Sequence, residues 1–306
     1  MAQADTLSTA GKVALVGFGE AGQAMVKGWG PDRARSVWAY DIKTDHADDA
    51  VRAAKRADYA HWNVTGCNAP AQAVEGAPLV VSLVTADQAL VAAQSVAPHL
   101  APGALFVDGN SCAPGTKRQS AAAVEDAGGR YVDMAVMGPV HPRLHKVPLL
   151  LSGPHAADGA AALEALDMEP VVVDGPVGAA STTKMVRSVM LKGLEALFLE
   201  CVLAGRRAGV AEAVLASLDV TYPEIDFTGK AAYMLERAAT HGVRRAAEMR
   251  EVAKTVADLG LPPRMARATV DWQQQIGDLA VVAGKAGFAD LADALLARLP
   301  DQAETE

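Results

Sequence analysis

The run Gly17-Phe-Gly19-Glu-Ala-Gly22 has the residue types and the spacing to hold a pyrophosphate. It follows the apolar residues 13–16 at once, and residues 23–27 after it are mostly good helix formers. Glycines placed where a strand turns into a helix serve three ends. Gly17 permits the tight turn, Gly19 lets backbone approach a phosphate, and Gly22 lets helix and strand pack. The helix start then offers unpaired N–H groups and the positive end of its dipole to the anion. Gly17, Phe18, Gly19, Glu20, Ala21 and Gly22 are thus the expected dinucleotide cradle.

Asp41 supports this reading. It ends the next apolar stretch, residues 36–40, about 20 residues past the glycines, where a carboxylate binds the adenosine ribose hydroxyls. Such a carboxylate repels the extra phosphate of NADP, so NAD is the expected cofactor. Lys43, two residues on, leaves NADP open.

The elements that must position these residues alternate. Strands are expected at 13–16, 36–40, 78–84, 104–107, 131–136, 147–151 and 171–173, with a short one at 61–65. Helices are expected between them, among them 44–57, 114–127 and one opening at Thr85. This order predicts a Rossmann-type, doubly wound parallel sheet with helices on both faces. Ligands in such sheets lie at the carboxyl ends of the strands. Val84, Thr85, Asn110 and Ser111 follow strand ends and are expected beside the cofactor. From residue 179 onward no convincing strand occurs. The expected division is a dinucleotide-binding domain at 1–176 and an all-α domain at 177–306 that serves substrate and dimer contacts.

The chain has 306 residues, 51% of them apolar, enough for two domains with sizeable cores. A formal net charge of −8 argues against nucleic acid or an anionic membrane as partner. No apolar run reaches the length of a membrane span. Residues 1–11 lack a basic start and an apolar core, so they read as a loose tail and not a signal peptide. Three scattered cysteines, Cys67, Cys112 and Cys201, give no disulfide framework and no metal knuckle. A cytoplasmic protein without a metal fits.

Four patterns, in order, resemble the β-hydroxyacid dehydrogenase superfamily, which includes 3-hydroxyisobutyrate and 6-phosphogluconate dehydrogenases. They are the glycine loop through Met25, Asp108-Gly-Asn-Ser-Cys-Ala-Pro114, Asp133-Met-Ala-Val-Met-Gly-Pro139 and Gly178-Ala-Ala-Ser-Thr-Thr-Lys184. The later run Ala239-Thr-His-Gly-Val-Arg-Arg-Ala-Ala-Glu-Met249 looks like a 6-phosphogluconate-dehydrogenase-like branch of uncharacterised function.

The resemblance implies oxidation of a hydroxyl near a carboxylate, or reduction of the matching carbonyl, on a small β-hydroxy acid. It implies a homodimer, and it makes Lys184 the catalytic residue. Removing a hydroxyl proton needs a base, and a solvated lysine is a cation; burial where two domains meet lowers a lysine pKa toward the working range. The small residues 179–183 before Lys184, and Met185 and Val186 after it, suit such a place.

The resemblance also places Met137, Gly138 and Ser188 at the substrate. Two of these depart from the family pattern. Ser188 stands where an asparagine is usual, and Met137 where a serine usually meets the substrate carboxylate. A thioether cannot donate a hydrogen bond, so His141 is the nearest replacement donor, with a plain turn histidine as the competing reading. His241, Arg244 and Arg245 form a basic group that suits carboxylates or phosphates; pairing with Glu236, Glu248 and Glu251 on a solvated helix is the preferred reading. Two rival functions remain. One is imine reduction, which Lys184 opposes because relatives that reduce imines generally replace the lysine. The other is a non-catalytic NAD sensor.

Overall fold

The computed structural model describes residues 11–284 and 287–300. The tail expected at 1–11 lies outside them save for residue 11, as does the acidic end from residue 301. The chain divides into two compact units, one reaching to Lys184 and the other starting at Met185.

The described part of the first unit is an eight-stranded sheet in the order β3-β2-β1-β4-β5-β6-β7-β8. Its strands are β1 Val13–Val16, β2 Val37–Tyr40, β3 Thr65–Gly66, β4 Leu79–Ser82, β5 Leu105–Asp108, β6 Arg130–Val136, β7 Leu149–Ser152 and β8 Pro170–Val172. Helices α1 Glu20–Trp29, α2 Pro31–Ala34, α3 Asp49–His61, α4 Pro70–Val74, α5 Ala89–Val96, α6 Pro114–Asp126 and α7 Ala156–Glu164 connect them. Both faces of the sheet are covered, so β1 is apolar at every position and not alternating. Val13 and Leu15 enter one core, while Ala14 and Val16 enter the other.

The sequence reading holds for the Rossmann-type strand order, with two differences. β7 runs antiparallel to β6, whereas every other pair is parallel. The connection over residues 137–148 holds only a short 3-10 turn, Leu144–Lys146. A parallel return needs a crossover, usually a whole helix, and this connection is too short. The strand expected at 61–65 is displaced: α3 continues to His61, and only Thr65–Gly66 pairs with β2.

The second unit is helical throughout its described residues: α9 Ala211–Thr221, α10 Phe227–Asp258, α11 Arg264–Asp278, α12 Phe288–Leu296, and most of the long α8 Ala179–Ala208. The unit boundary falls inside α8, between Lys184 and Met185, where the sequence reading divided the chain at 176/177. The first turn of α8 is bonded to the sheet, which draws residues 177–184 into the first unit. Among the described residues no helix is long and apolar enough to cross a membrane.

His241 on α10 gives this unit a pH dependence. Burial, then the neighbouring charges of Arg237, Arg244 and Arg245, hold its imidazole below the usual histidine range. The fold thus favours the neutral ring. Its contribution to stability is present above the unfolded value of about 6.5 and is lost as pH falls through the lower folded value. Thermal unfolding followed from about pH 7 down to 5 should show the wild type losing more stability than His241→Gln. Parallel curves would show that His241 does not contribute.

Candidate active site

The glycine loop leaves β1 at the point where the sheet reverses direction, between β1 and β4. Open α/β sheets bind ligands at this crevice. Gly17 has φ +95°, and a Cβ there would stand 2.4 Å from the Leu83 carbonyl oxygen that follows β4. Gly17 is therefore required by the chain itself. Gly19 is different, because a Cβ there would meet nothing within 4 Å. The space over Gly19 is free for another molecule. Gly19 caps α1 without a side-chain hydrogen bond, so the first-turn N–H groups keep their anion-binding capacity. Glu20 is exposed, and Ala21 is half-buried against the core.

Phe18 turns its ring into the core against Tyr59, with ring centroids 5.3 Å apart. Its N–H donates to Asp41 Oδ2 at 2.8 Å, and Lys43 N–H donates to Asp41 Oδ1 at 3.0 Å. Asp41 therefore clamps the glycine loop to the end of β2. Two oxygens offer about four acceptor sites, so capacity remains for ribose hydroxyls. The buried Lys55 ammonium lies 4.0 Å from Asp41 Oδ2 and donates to the Phe18 carbonyl at 2.7 Å.

Past β4 and β5 the chain ends are braced together. Asn110 Oδ1 accepts from Val84 N–H at 2.6 Å, and its Nδ2 donates to Ser82 Oγ at 3.0 Å. Asn110 is buried, so its amide braces the Val84 turn from below. Thr85 is exposed, and the helix expected to open there begins at Ala89 after a 3-10 turn, Ala86–Gln88.

Next to Asn110, Ser111 Oγ accepts from Lys184 Nζ at 2.5 Å. Two segments separated by 73 positions thus meet at the carboxyl end of β5. Both residues are half-buried, which leaves the pair reachable by a small molecule.

Residues 12–173 match the NAD-binding domain of 6-phosphogluconate dehydrogenase, over half of the chain. The chain belongs to that family. It is a member of the β-hydroxyacid dehydrogenase superfamily, and its cofactor is NAD(P). Residues 206–276 match a domain of unknown function, DUF1932. A conserved hypothetical protein from Sinorhizobium meliloti 1021 is 37% identical over 96% of this chain and 98% of its own, with a TM-score of 0.74. An uncharacterised 28.5 kDa protein of Methanothermus fervidus is 28% identical over 196 residues, 64% of this chain and 74% of its own. The 3-hydroxyisobutyrate dehydrogenase of Mycobacterium tuberculosis, solved with L-serine, shares the fold at 16% identity; the match covers 93% of this chain and 99% of that one, with a TM-score of 0.69. The coarse activity that follows from the family is NAD(P)-dependent oxidoreduction of the hydroxyacid dehydrogenase kind.

Within this superfamily member, the residues expected at the substrate fall in both units. Met137 and Gly138 are half-buried beyond β6, with Met137 N–H donating to the Pro148 carbonyl at 2.9 Å. His141 is exposed and lines a cleft with Glu20, Gln23, Ala24, Lys27 and Trp62, on the flank of α1. Ser188 belongs to the second unit, is buried, and lies 3.4 Å from Lys192 Nζ, which pairs with Glu248 at 2.9 Å. Arg244 pairs with Glu248 at 2.7 Å, as the sequence suggested. Arg245 instead pairs with the buried Glu195 of α8 at 2.9 Å.

Besides Glu195, the buried charges of Lys55, Lys117 and Asp133 escaped the sequence reading. Lys55 sits below the glycine loop. Lys117, fully buried, lies 2.9 Å from Asp108 Oδ1 and 3.4 Å from Asp133 Oδ1. Asp133 is fully buried as well. A signal for Lys117 existed in the sequence: with Pro114, Ala121 and Val124 it falls on the buried stripe of α6, at helical spacing. A lysine at such a position must find a counter-charge.

Proposed function

We propose that the chain is an NAD-dependent dehydrogenase acting on the CH–OH group of a small β-hydroxy acid, with Lys184 as the proton-transferring residue. The observation that carries this reading is the contact between Lys184 Nζ and Ser111 Oγ at the carboxyl end of β5. An amine and a hydroxyl together at the carboxyl ends of the strands, where open α/β sheets bind their ligands, support it.

The residues present fit the cofactor. The open space over Gly19 and the uncapped start of α1 accept the pyrophosphate, and Asp41 holds the ribose. When bound, NAD supplies the hydride acceptor. Lys184 removes the proton of the substrate hydroxyl in one direction and returns it to the carbonyl oxygen in the other. Ser111 fixes where the amine sits and gives the proton a second oxygen to visit. Val84 and Thr85, held by the Asn110 brace, border the nicotinamide half. Asp41 favours NAD over NADP, while Lys43 and Lys55 soften that preference. Met137, Gly138, His141 and Ser188 are the candidate substrate contacts, and the protein acts as a cytoplasmic homodimer.

A panel of small hydroxy acids, each with NAD and with NADP, tests this at the absorbance of the reduced nicotinamide. Turnover with a β-hydroxy acid supports the reading. Silence across the panel, with tight NADH binding, favours a sensor.

A further inference from the structure

The hydrogen bond between Lys184 and Ser111 depends on two pieces of backbone that the sheet alone does not tie together. One is the loop after β5, residues 109–113. The other is the first turn of α8. Both are anchored to the same buried cation.

Asp108 holds the loop. Its Oδ1 accepts from Asn110 N–H at 2.9 Å, one residue before Ser111, and its Oδ2 accepts from Tyr131 Oη–H at 2.6 Å. Asp133 holds the helix. Its Oδ2 accepts from Gly178 N–H at 3.0 Å and Ser181 N–H at 3.1 Å, and its Oδ1 accepts from the Ser181 hydroxyl at 2.5 Å. Ser152 Oγ donates to Asp133 Oδ2 at 3.0 Å and accepts from Ala180 N–H at 3.0 Å. The N–H groups that open α8 are thus capped from the sheet, and Lys184 stands one turn above Ser181.

Lys117 bridges the two carboxylates. It donates to Asp108 Oδ1 at 2.9 Å and to the Asp108 carbonyl at 2.5 Å, and it lies 3.4 Å from Asp133 Oδ1. All three side chains are fully buried. Two carboxylates this close and this deep repel each other strongly without a cation between them. Burial opposes the Lys117 charge, and the two aspartates outweigh it, holding the ammonium above the usual lysine range. The same aspartate charge, together with burial, pushes the Tyr131 phenol upward, so it stays a donor.

We propose that Lys117 is a positioning residue: its ammonium, hydrogen-bonded to Asp108 and ion-paired with Asp133, sets the distance between Ser111 and Lys184. The proposal rests on the reading of Lys184 as the proton carrier. Lys117 touches neither substrate nor cofactor. It acts through the two segments whose ends it holds.

The test is the chemical reactivity of the Lys184 amine in the full chain. Trace acetic anhydride is added over a pH series, and the modified Lys184 and Lys254 peptides are measured by mass spectrometry. The variants are Lys117→Met and the double Lys117→Met with Asp108→Asn, in which one negative charge leaves with the positive one. In a folded variant, Lys184 should label on the order of tenfold faster, the factor for losing one charge-assisted hydrogen bond. Its pH profile should shift, while that of the exposed reference Lys254 stays fixed. A general loosening of the first unit would also speed labelling of its buried Lys55, read in the same digest. An unchanged Lys184 profile in either folded variant overturns the proposal. So does failure of both variants to fold, since Lys117 would then serve the core and not the site. Turnover that survives Lys184→Ala would sink the proton-carrier reading instead, whatever the labelling shows.

Discussion

Lys184→Ala is expected to lower turnover on any responsive hydroxy acid by roughly 10²–10⁴-fold, the range for removing a positioned acid or base. NADH affinity should stay nearly unchanged, because the proposed cradle is the glycine loop with Asp41 and not this amine. Lys184→Arg separates two explanations. Arginine keeps the positive charge but cannot give up its proton in a protein. If Lys184 only steadies a negative substrate, the arginine variant should retain much of the activity. If Lys184 carries the proton, both variants should be equally inactive. Stopped-flow turnover and NADH fluorescence titration of the same preparations read the two quantities separately. Full activity in the alanine variant would remove Lys184 from the reaction.

Gly19→Val is expected to abolish cofactor binding without harming the fold. Gly19 has φ −87° and ψ −153°, an extended conformation, and a Cβ there would meet no protein atom within 4 Å. Stability should therefore change by no more than about 0.5 kcal/mol. The side chain would fill the space that a pyrophosphate needs over the start of α1. Losing two hydrogen bonds to a charged group, at roughly 1.5 kcal/mol each, weakens NADH binding on the order of 100-fold. Gly17→Ala should behave in the opposite way. Its Cβ would stand 2.4 Å from the Leu83 carbonyl oxygen at a φ of +95°, so the damage appears in the melting temperature first. Calorimetric melting and NADH titration of the pair distinguish a glycine kept for a ligand from one kept for the chain. Unaltered NADH affinity in Gly19→Val would mean that the pyrophosphate lies elsewhere.

These expectations were legible to different degrees before the structure. The glycine loop and Asp41 could be read directly, because strand, turn, helix and next strand are contiguous and their chemistry depends on local backbone. The long helix carrying Lys184 was also readable, from an unbroken run of helix formers after Gly178. The antiparallel β7 was not, since strand direction depends on how far a connection must travel, and β-strand composition is the same either way. Asn110 illustrates a different gap. Its position after β5 marked it as a ligand neighbour, but side-chain direction was undetermined, and the amide turns inward to Val84 and Ser82.

The sequence by itself determined that a glycine-bearing βαβ unit opens the chain's sheet and that an all-helical half follows, because both are written in short-range periodicity and in glycine spacing. Only the tertiary structure decided that Ser111 meets Lys184, that Asp133 caps a helix 45 residues further along, and that Lys117 stands between two aspartates. Those contacts join the ends of β5 and β6 to the loop after β5, to α6 and to the start of α8, segments that no local pattern pairs. Charges acquire their meaning there from burial, which no local pattern of residues specifies.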